Sequence, residues 1–237
     1  MKLINEGIGF LADKYGIEKK IRLIDRDTVV IDGERHTLLP WRSERRIIEL
    51  KNIAMTMQGI SMIRVSRIDK KRADIMKMFC READICEFVL GSAIKEIFAV
   101  ENSGKAMNAV LKTESGVVCT LELAATLSDE KNVIDKHEII SQNGVACDRG
   151  VDTQIPQQSV YVLKAGENKE YTDTDAELYG LSSEDASIAR QCFETARGNV
   201  CFCNQAGHLQ DLAAACRKSI ETEENTALCG GEINEAD

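Results

Sequence analysis

An α+β fold, a mainly antiparallel β-sheet with helices packed on one face, is what this sequence predicts. Three observations lead there. Stretches with helical apolar spacing bracket a central block of short strand-like runs. Turn dipeptides punctuate that block at intervals suited to hairpins. The chain has 237 residues of which 43% are apolar, enough for a sizeable core.

The elements follow in order. Over residues 4–15, Ile8, Leu11 and Ala12 fall at helical spacing, and Gly16 stands where a helix stops. Runs at 20–24, 28–32 and 35–39 read as a small β excursion. Its Asp32-Gly33 turn uses glycine for the positive φ of a tight hairpin. Pro40 breaks the chain, and Ser43 can cap a helix that carries Ile47, Ile48, Leu50, Ile53 and Ala54 inward and ends by Gly59. Residues 61–68 read as a strand. Residues 72–90 form a long helix with Ile75, Met78, Phe79, Ile85, Cys86 and Val89 on its inner side, stopped by Gly91.

Strand-like runs then cover 94–100, 106–113, 117–125, 136–141 and 159–164. Ser103-Gly104, Ser115-Gly116 and Asn143-Gly144 separate them, which predicts an antiparallel meander. Two helices follow at 183–196, capped by Ser182 or Ser183 with Glu184 in the first turn, and at 208–220. Residues 223–237 are acidic, contain Gly230-Gly231 and are expected to be disordered. No internal repeat is present.

A net charge of −9 and a pI near 5.0 argue against nucleic acid, which is bound by clustered Lys and Arg. The short basic groups Arg42, Arg45, Arg46 and Lys70, Lys71, Arg72 sit beside acids and read as solvated faces. No apolar run approaches the roughly 20 residues that cross a bilayer, and no signal-peptide pattern opens the chain. A cytoplasmic protein is therefore expected. Nine cysteines, an odd number scattered along the chain, suit reduced thiols acting as small buried hydrophobes.

The segment KRADIMKMFCREADICEFVLG, residues 71–91, resembles the long helix in the C-terminal domain of the Gfo/Idh/MocA oxidoreductases, which ends in an H-x-x-D-x-x-x-x-x-x-G pattern. The run IKEIFAVENSGKAMNAVLKTESGVVCTLELAATL is similar to that family's β-meander. DKHEIISQNGVACDRG resembles its next strand pair, and AGHLQDLAAACRKSIETEE its last helix. The likeness covers about residues 43–222. It implies a glyceraldehyde-3-phosphate dehydrogenase-like C-terminal domain over 43–222. It also implies that residues 1–42, with Trp41-Arg42 at the crossover and an added hairpin, correspond to the end of a nucleotide-binding domain.

The family binds its nicotinamide cofactor on a Rossmann half with a glycine-rich turn. This sequence has no G-x-G-x-x-G and no E-K-P motif; Gly7-Ile8-Gly9 lies inside the first helix, and Lys2 is too close to Gly16 to serve as the family lysine. The expectation is that the chain alone binds no cofactor, and that NAD(P) enters only if a partner supplies a Rossmann domain.

The family's acid–base chemistry uses an Asp and a His four residues apart on the long helix. Counting back from Gly91, Asp84 keeps the trailing acid, while Arg81 stands at the His position and Lys77 at the Asp position. Arginine cannot accept a proton, and lysine could only if burial depressed its pKa. Lys77 and Arg81 either ion-pair with Glu82 or Asp84, or form a rebuilt site for a carboxylated or phosphorylated ligand. His208 opens the last helix, where similar proteins often carry His near the substrate pocket. Lys77, Arg81, Asp84 and His208 are thus the candidate pocket positions, and none is assigned a catalytic role. Cys201-Phe202-Cys203 lacks a second ligand pair, so no metal is expected. His137, between Lys136 and Glu138, is expected on an exposed polar face.

The resemblance implies a substrate-side domain unable to transfer hydride alone, binding a small polar or anionic metabolite, and forming a homodimer through the open sheet face. Alternating apolar positions over residues 117–125, left without helix cover, would support the dimer. The alternatives are the substrate subunit of a split dehydrogenase completed by a separate Rossmann chain, and a truncated inactive gene product.

Overall fold

The computed structural model describes residues 2–148, 159–164, 167–172, 180–202 and 204–228. The chain forms two compact units, residues 1–48 with 173–206, and residues 49–172 with 207–237. The 42/43 boundary expected from the sequence falls within the first of these.

In the first unit, α1 (Lys2–Tyr15) precedes a three-stranded antiparallel sheet of β1 (Ile21–Asp25), β2 (Thr28–Ile31) and β3 (Glu34–Thr37). The β2–β3 turn places Asp32 at φ 50° and Gly33 at φ 93°, the left-handed pair that glycine makes accessible. A 3-10 turn, Pro40–Ser43, follows, and α4 (Ser183–Arg197) returns to complete the core. Ile4 and Ile8 of α1, Leu23, Val29 and Ile31 of the sheet, and Ile188 and Cys192 of α4 pack together. The α4 N-cap is Ser182, whose hydroxyl accepts from the Asp185 N–H.

α2 (Arg45–Ala54) leads into the second unit, whose centre is β4 (Ile60–Lys70) and the long helix α3 (Ile75–Leu90). Asp74 caps α3 by accepting from the Met76 and Lys77 N–H groups, and Gly91 ends it at φ 61°. Then come β5 (Ile94–Asn102), β6 (Ala106–Thr113), β7 (Val118–Leu127), β8 (Ile134–Ser141), β9 (Gly144–Cys147), β10 (Ser159–Lys164), β11 (Glu167–Thr172), α5 (Gln205–Thr222) and the two-residue β12 (Thr226–Ala227). They form one nine-stranded sheet in the order β11-β10-β9-β8-β4-β7-β6-β5-β12.

All neighbours are antiparallel except β4 and β7, which run parallel. This corrects the continuous meander expected from the sequence. β4 inserts between β7 and β8, so the loop at residues 128–133 must step over one strand, a distance of about 10 Å. Ile63 and Val65 of β4, both buried, make it a central strand.

Strand alternation sorts the sheet into two faces. On the face toward α3, register places Ile97, Leu111, Cys119, Ile63, Ile139 and Ala146 in one transverse row. The alternating apolar residues of β7, Cys119, Leu121, Leu123 and Ala125, are buried, and α3 packs on this strand. This overturns the expectation that they lie on an uncovered face. The opposite face instead carries Phe98, Val110, Thr120, Arg64 and Glu138 in register.

Part of the tail expected to be disordered is built into the sheet: Thr226 and Ala227 pair with Ile97 and Glu96. The edge beside them is closed by Ser219 of α5, whose hydroxyl accepts from the Ala99 N–H at 3.0 Å and donates to the Glu224 carbonyl at 2.7 Å. Residues 229–237 of the tail lie outside the described residues. Of the cysteines described, Cys86, Cys119, Cys147, Cys192 and Cys216 are buried free thiols, Cys80 is half-buried and Cys201 exposed. No helix among the described residues is long and apolar enough to cross a membrane.

Candidate functional site

One corner of the α3-facing side of the sheet is charged. The row Ala99, Ala109, Leu121, Val65 ends at His137, and the next row, Met107, Leu123, continues to Arg67 and Asp135. β4 therefore sends Ile63, Val65, Arg67 and Asp69 to one face, and β8 sends Asp135, His137 and Ile139 to the same face. α3 lays Arg81 and Glu82 over this corner.

His137 is 2% exposed, not on the polar face expected from its neighbours. Its parity explains the correction. It alternates with buried Ile139, while Lys136 and Glu138 point to the other face and pair with each other at 3.0 Å.

The imidazole can be buried because both nitrogens meet carboxylates. Nε2 lies 2.7 Å from Glu82 and Nδ1 2.5 Å from Asp148. Asp148, just beyond β9, also accepts from the His137 backbone N–H at 2.7 Å, and its own N–H donates to the His137 carbonyl at 3.1 Å. Burial alone would push the imidazole's pKa down. Asp148 and Glu82 outweigh it and raise the value from 6.5 to about 10, so His137 is a cation at neutral pH.

Glu82 is fully buried, which by itself would raise its pKa. Arg81, then His137, then Arg67 hold it at about 2 instead. Arg81 pairs with Glu82, and Arg67 reaches Glu82 at 3.5 Å, Asp135 at 3.1 Å and Asp69 at 2.8 Å. Among the described residues the cluster brings the cationic groups Arg67, Arg81 and His137 together with the carboxylates Asp69, Glu82, Asp135 and Asp148.

Buried acids also line the other side of α3. Glu87 is 5% exposed; it accepts from the Ile94 N–H at 2.7 Å and meets Nε2 of His208, on α5, at 2.7 Å. The hydrogen bond to Glu87 raises the His208 pKa against the opposing effect of burial, with Glu87, Asp84 and Asp211 adding to the rise. One residue on, the Leu209 carbonyl accepts from the Cys80 thiol at 3.6 Å. Burial pushes that thiol up to about 11, far from an activated nucleophile.

The structure thus brings Asp84 and His208 near each other and places Arg81 and Lys77 elsewhere. Asp84, buried on α3, acts electrostatically on His208. Arg81 belongs to the His137 cluster. Lys77 is exposed in the first turn of α3. Arg67, Asp135, Asp148 and Glu87 were not foreseen. For Arg67 and Asp135 the signal was present, since each shares strand parity with buried apolar neighbours. Asp148 and Glu87 gave none that one sequence can reveal. Among the described residues no group of His, Cys, Asp or Glu is arranged to hold a metal ion. Of Cys201-Phe202-Cys203, Cys203 lies outside the described residues; Phe202 lies under the Arg42 guanidinium at 5.4 Å.

The mixed sheet with a long covering helix defines the class: an α+β domain. More narrowly, the fold is that of the Gfo/Idh/MocA-type oxidoreductases. An oxidoreductase domain protein from Kribbella flavida is similar over 81% of this chain and 65% of its own, with TM-score 0.64 and 12% identity. An NAD binding oxidoreductase from Klebsiella pneumoniae gives TM-score 0.64 and 12% identity, over 82% of this chain and 66% of its own. Levoglucosan dehydrogenase, in complex with NADH and levoglucosan, gives TM-score 0.63 and 11% identity, over 81% and 65%. The chain spans just under two thirds of the length of each. No protein-family profile matches the sequence, and no curated protein does.

Proposed function

We propose that this chain belongs to the Gfo/Idh/MocA oxidoreductases and supplies their substrate-side module. In this reading it binds a small polar metabolite, self-associates through the open face of the sheet, and does not carry out hydride transfer with its own residues. The observation that carries the reading is the state of α3. Arg81, always protonated, stands where the family places its histidine, and the imidazole that reaches α3 from the sheet is a buried cation between Glu82 and Asp148. Neither can take a proton from a substrate hydroxyl near neutral pH. His137 instead anchors β8 and the end of β9 to α3.

The test is titration of the purified chain with NADH and with NADPH, followed by fluorescence and calorimetry. No binding at micromolar cofactor is expected, and tight binding would overturn the reading. Self-association is supported by the open face, where Val110 is 46% and Val100 45% exposed beside Phe98. Light scattering should give a dimer that Val110→Lys dissociates; a wild-type monomer at micromolar concentration rejects that part.

A second reading, the substrate subunit of a split dehydrogenase, is favoured by likeness to a dehydrogenase whose solved complex contains NADH. A neighbouring reading frame encoding G-x-G-x-x-G and E-K-P, whose product restores cofactor-dependent activity on mixing, would establish it.

A further inference from the structure

Outside the His137 cluster, the molecule holds a second buried charge contact with different chemistry. Glu87 lies in the last turn of α3, where the helix dipole disfavours a carboxylate. Its side chain is nonetheless buried and tied to two elements: the Ile94 N–H that opens β5, and His208 of α5, each at 2.7 Å. His208 keeps 23% of its side chain exposed, so solvent protons reach it. The acids that face it are Glu87 and Asp84 from α3 and Asp211 from α5 itself, and β5 presents the Ile94 N–H. Loss of the imidazolium charge would leave the Glu87 carboxylate buried near Asp84 without the cation that offsets it.

We propose that Glu87 and His208 form a proton-operated latch, which fastens the first turns of α5 onto α3 when His208 is charged and loosens them as pH rises. The direction follows from linkage. The latched state holds the proton more tightly than the open state, whose imidazole titrates near 6.5. Closure is therefore complete below that value, and each pH unit above it, up to the raised pKa of the latched state, weakens closure by up to about tenfold. The Cys80 thiol bonded to the Leu209 carbonyl lies under the same turn and is uncovered when the latch opens. The inference stands apart from the oxidoreductase assignment, since it concerns only the contact between two helices.

Amide hydrogen exchange of residues 209–212, corrected for intrinsic rate, tests it between pH 6 and 9 on the full chain. In the wild type, protection should fall by up to about tenfold per pH unit above 6.5. In His208→Gln, which can still donate to Glu87 but does not titrate, the fall should be clearly shallower than in the wild type. The Glu82–His137–Asp148 contacts are present in both proteins, so any slope they cause appears in both. Flat protection in the wild type, or a fall in His208→Gln as steep as in the wild type, overturns the latch. An NMR titration of the His208 ring gives a second reading, and an unraised pKa there also overturns it.

Discussion

Replacing His137 with leucine removes the cation between Glu82 and Asp148 while keeping an apolar side chain of comparable size in the row behind Val65. Glu82 would keep Arg81 and the Arg67 guanidinium at 3.5 Å. Asp148 would lose the imidazole at 2.5 Å and keep the backbone N–H of residue 137 at 2.7 Å. Breaking one partner of a buried ion pair costs about 3–5 kcal/mol. For a chain of this size that lowers Tm by roughly 6–20 °C.

The pH profile identifies the cause. A histidine raised from 6.5 to about 10 binds its proton more tightly in the folded state. Its contribution is complete below 6.5 and is lost as pH rises toward about 10, with a slope of up to about 1.4 kcal/mol per pH unit. Urea denaturation of wild type and His137→Leu at pH 5.5, 7.5 and 9 measures both quantities. The variant should lose most of the alkaline slope, and adding Asp148→Asn should recover much of the stability. A destabilisation below about 1 kcal/mol, or an unchanged alkaline slope, would refute the argument that His137 is a buried cation.

Arg81→Met should cost about 1.5–3 kcal/mol, less than His137→Leu because Arg67 still reaches Glu82. Since Glu82 is held at about 2, below its usual 4.5, its contribution is present above 4.5 and lost as pH falls toward 2. In Arg81→Met, acid unfolding should begin at higher pH, which circular dichroism can follow. Ser219→Ala strands the Ala99 N–H at a covered edge and should cost about 1–3 kcal/mol; hydrogen exchange at Ala99 is the direct check. Gly91→Ala should cost about 1 kcal/mol from its left-handed backbone alone, because an added Cβ there meets nothing within 4 Å. A much larger loss on thermal denaturation would show that space, not φ, constrains the position.

The long helix was legible because its signals are local: periodic apolar residues and a glycine stop lie within one stretch of chain. The hairpin turn at Asp32-Gly33 and strand β6 were legible for the same reason. Strand order was not. That β4 runs parallel beside β7 depends on which apolar faces meet across about 50 intervening residues, and no local pattern encodes it.

The site divides in the same way. By itself the sequence placed Arg81 on the long helix, and the resemblance to the family implied a histidine at that position. Only the tertiary structure decided what His137 is. Beside Lys136 and Glu138 it looked like a surface residue. Once β8 lies next to β4 and under α3, Glu82, 55 residues earlier in the chain, and Asp148 beyond β9 close on its two nitrogens. The protonation state of a buried imidazole is set by the charges within a few ångströms of it, and those neighbours exist only after folding.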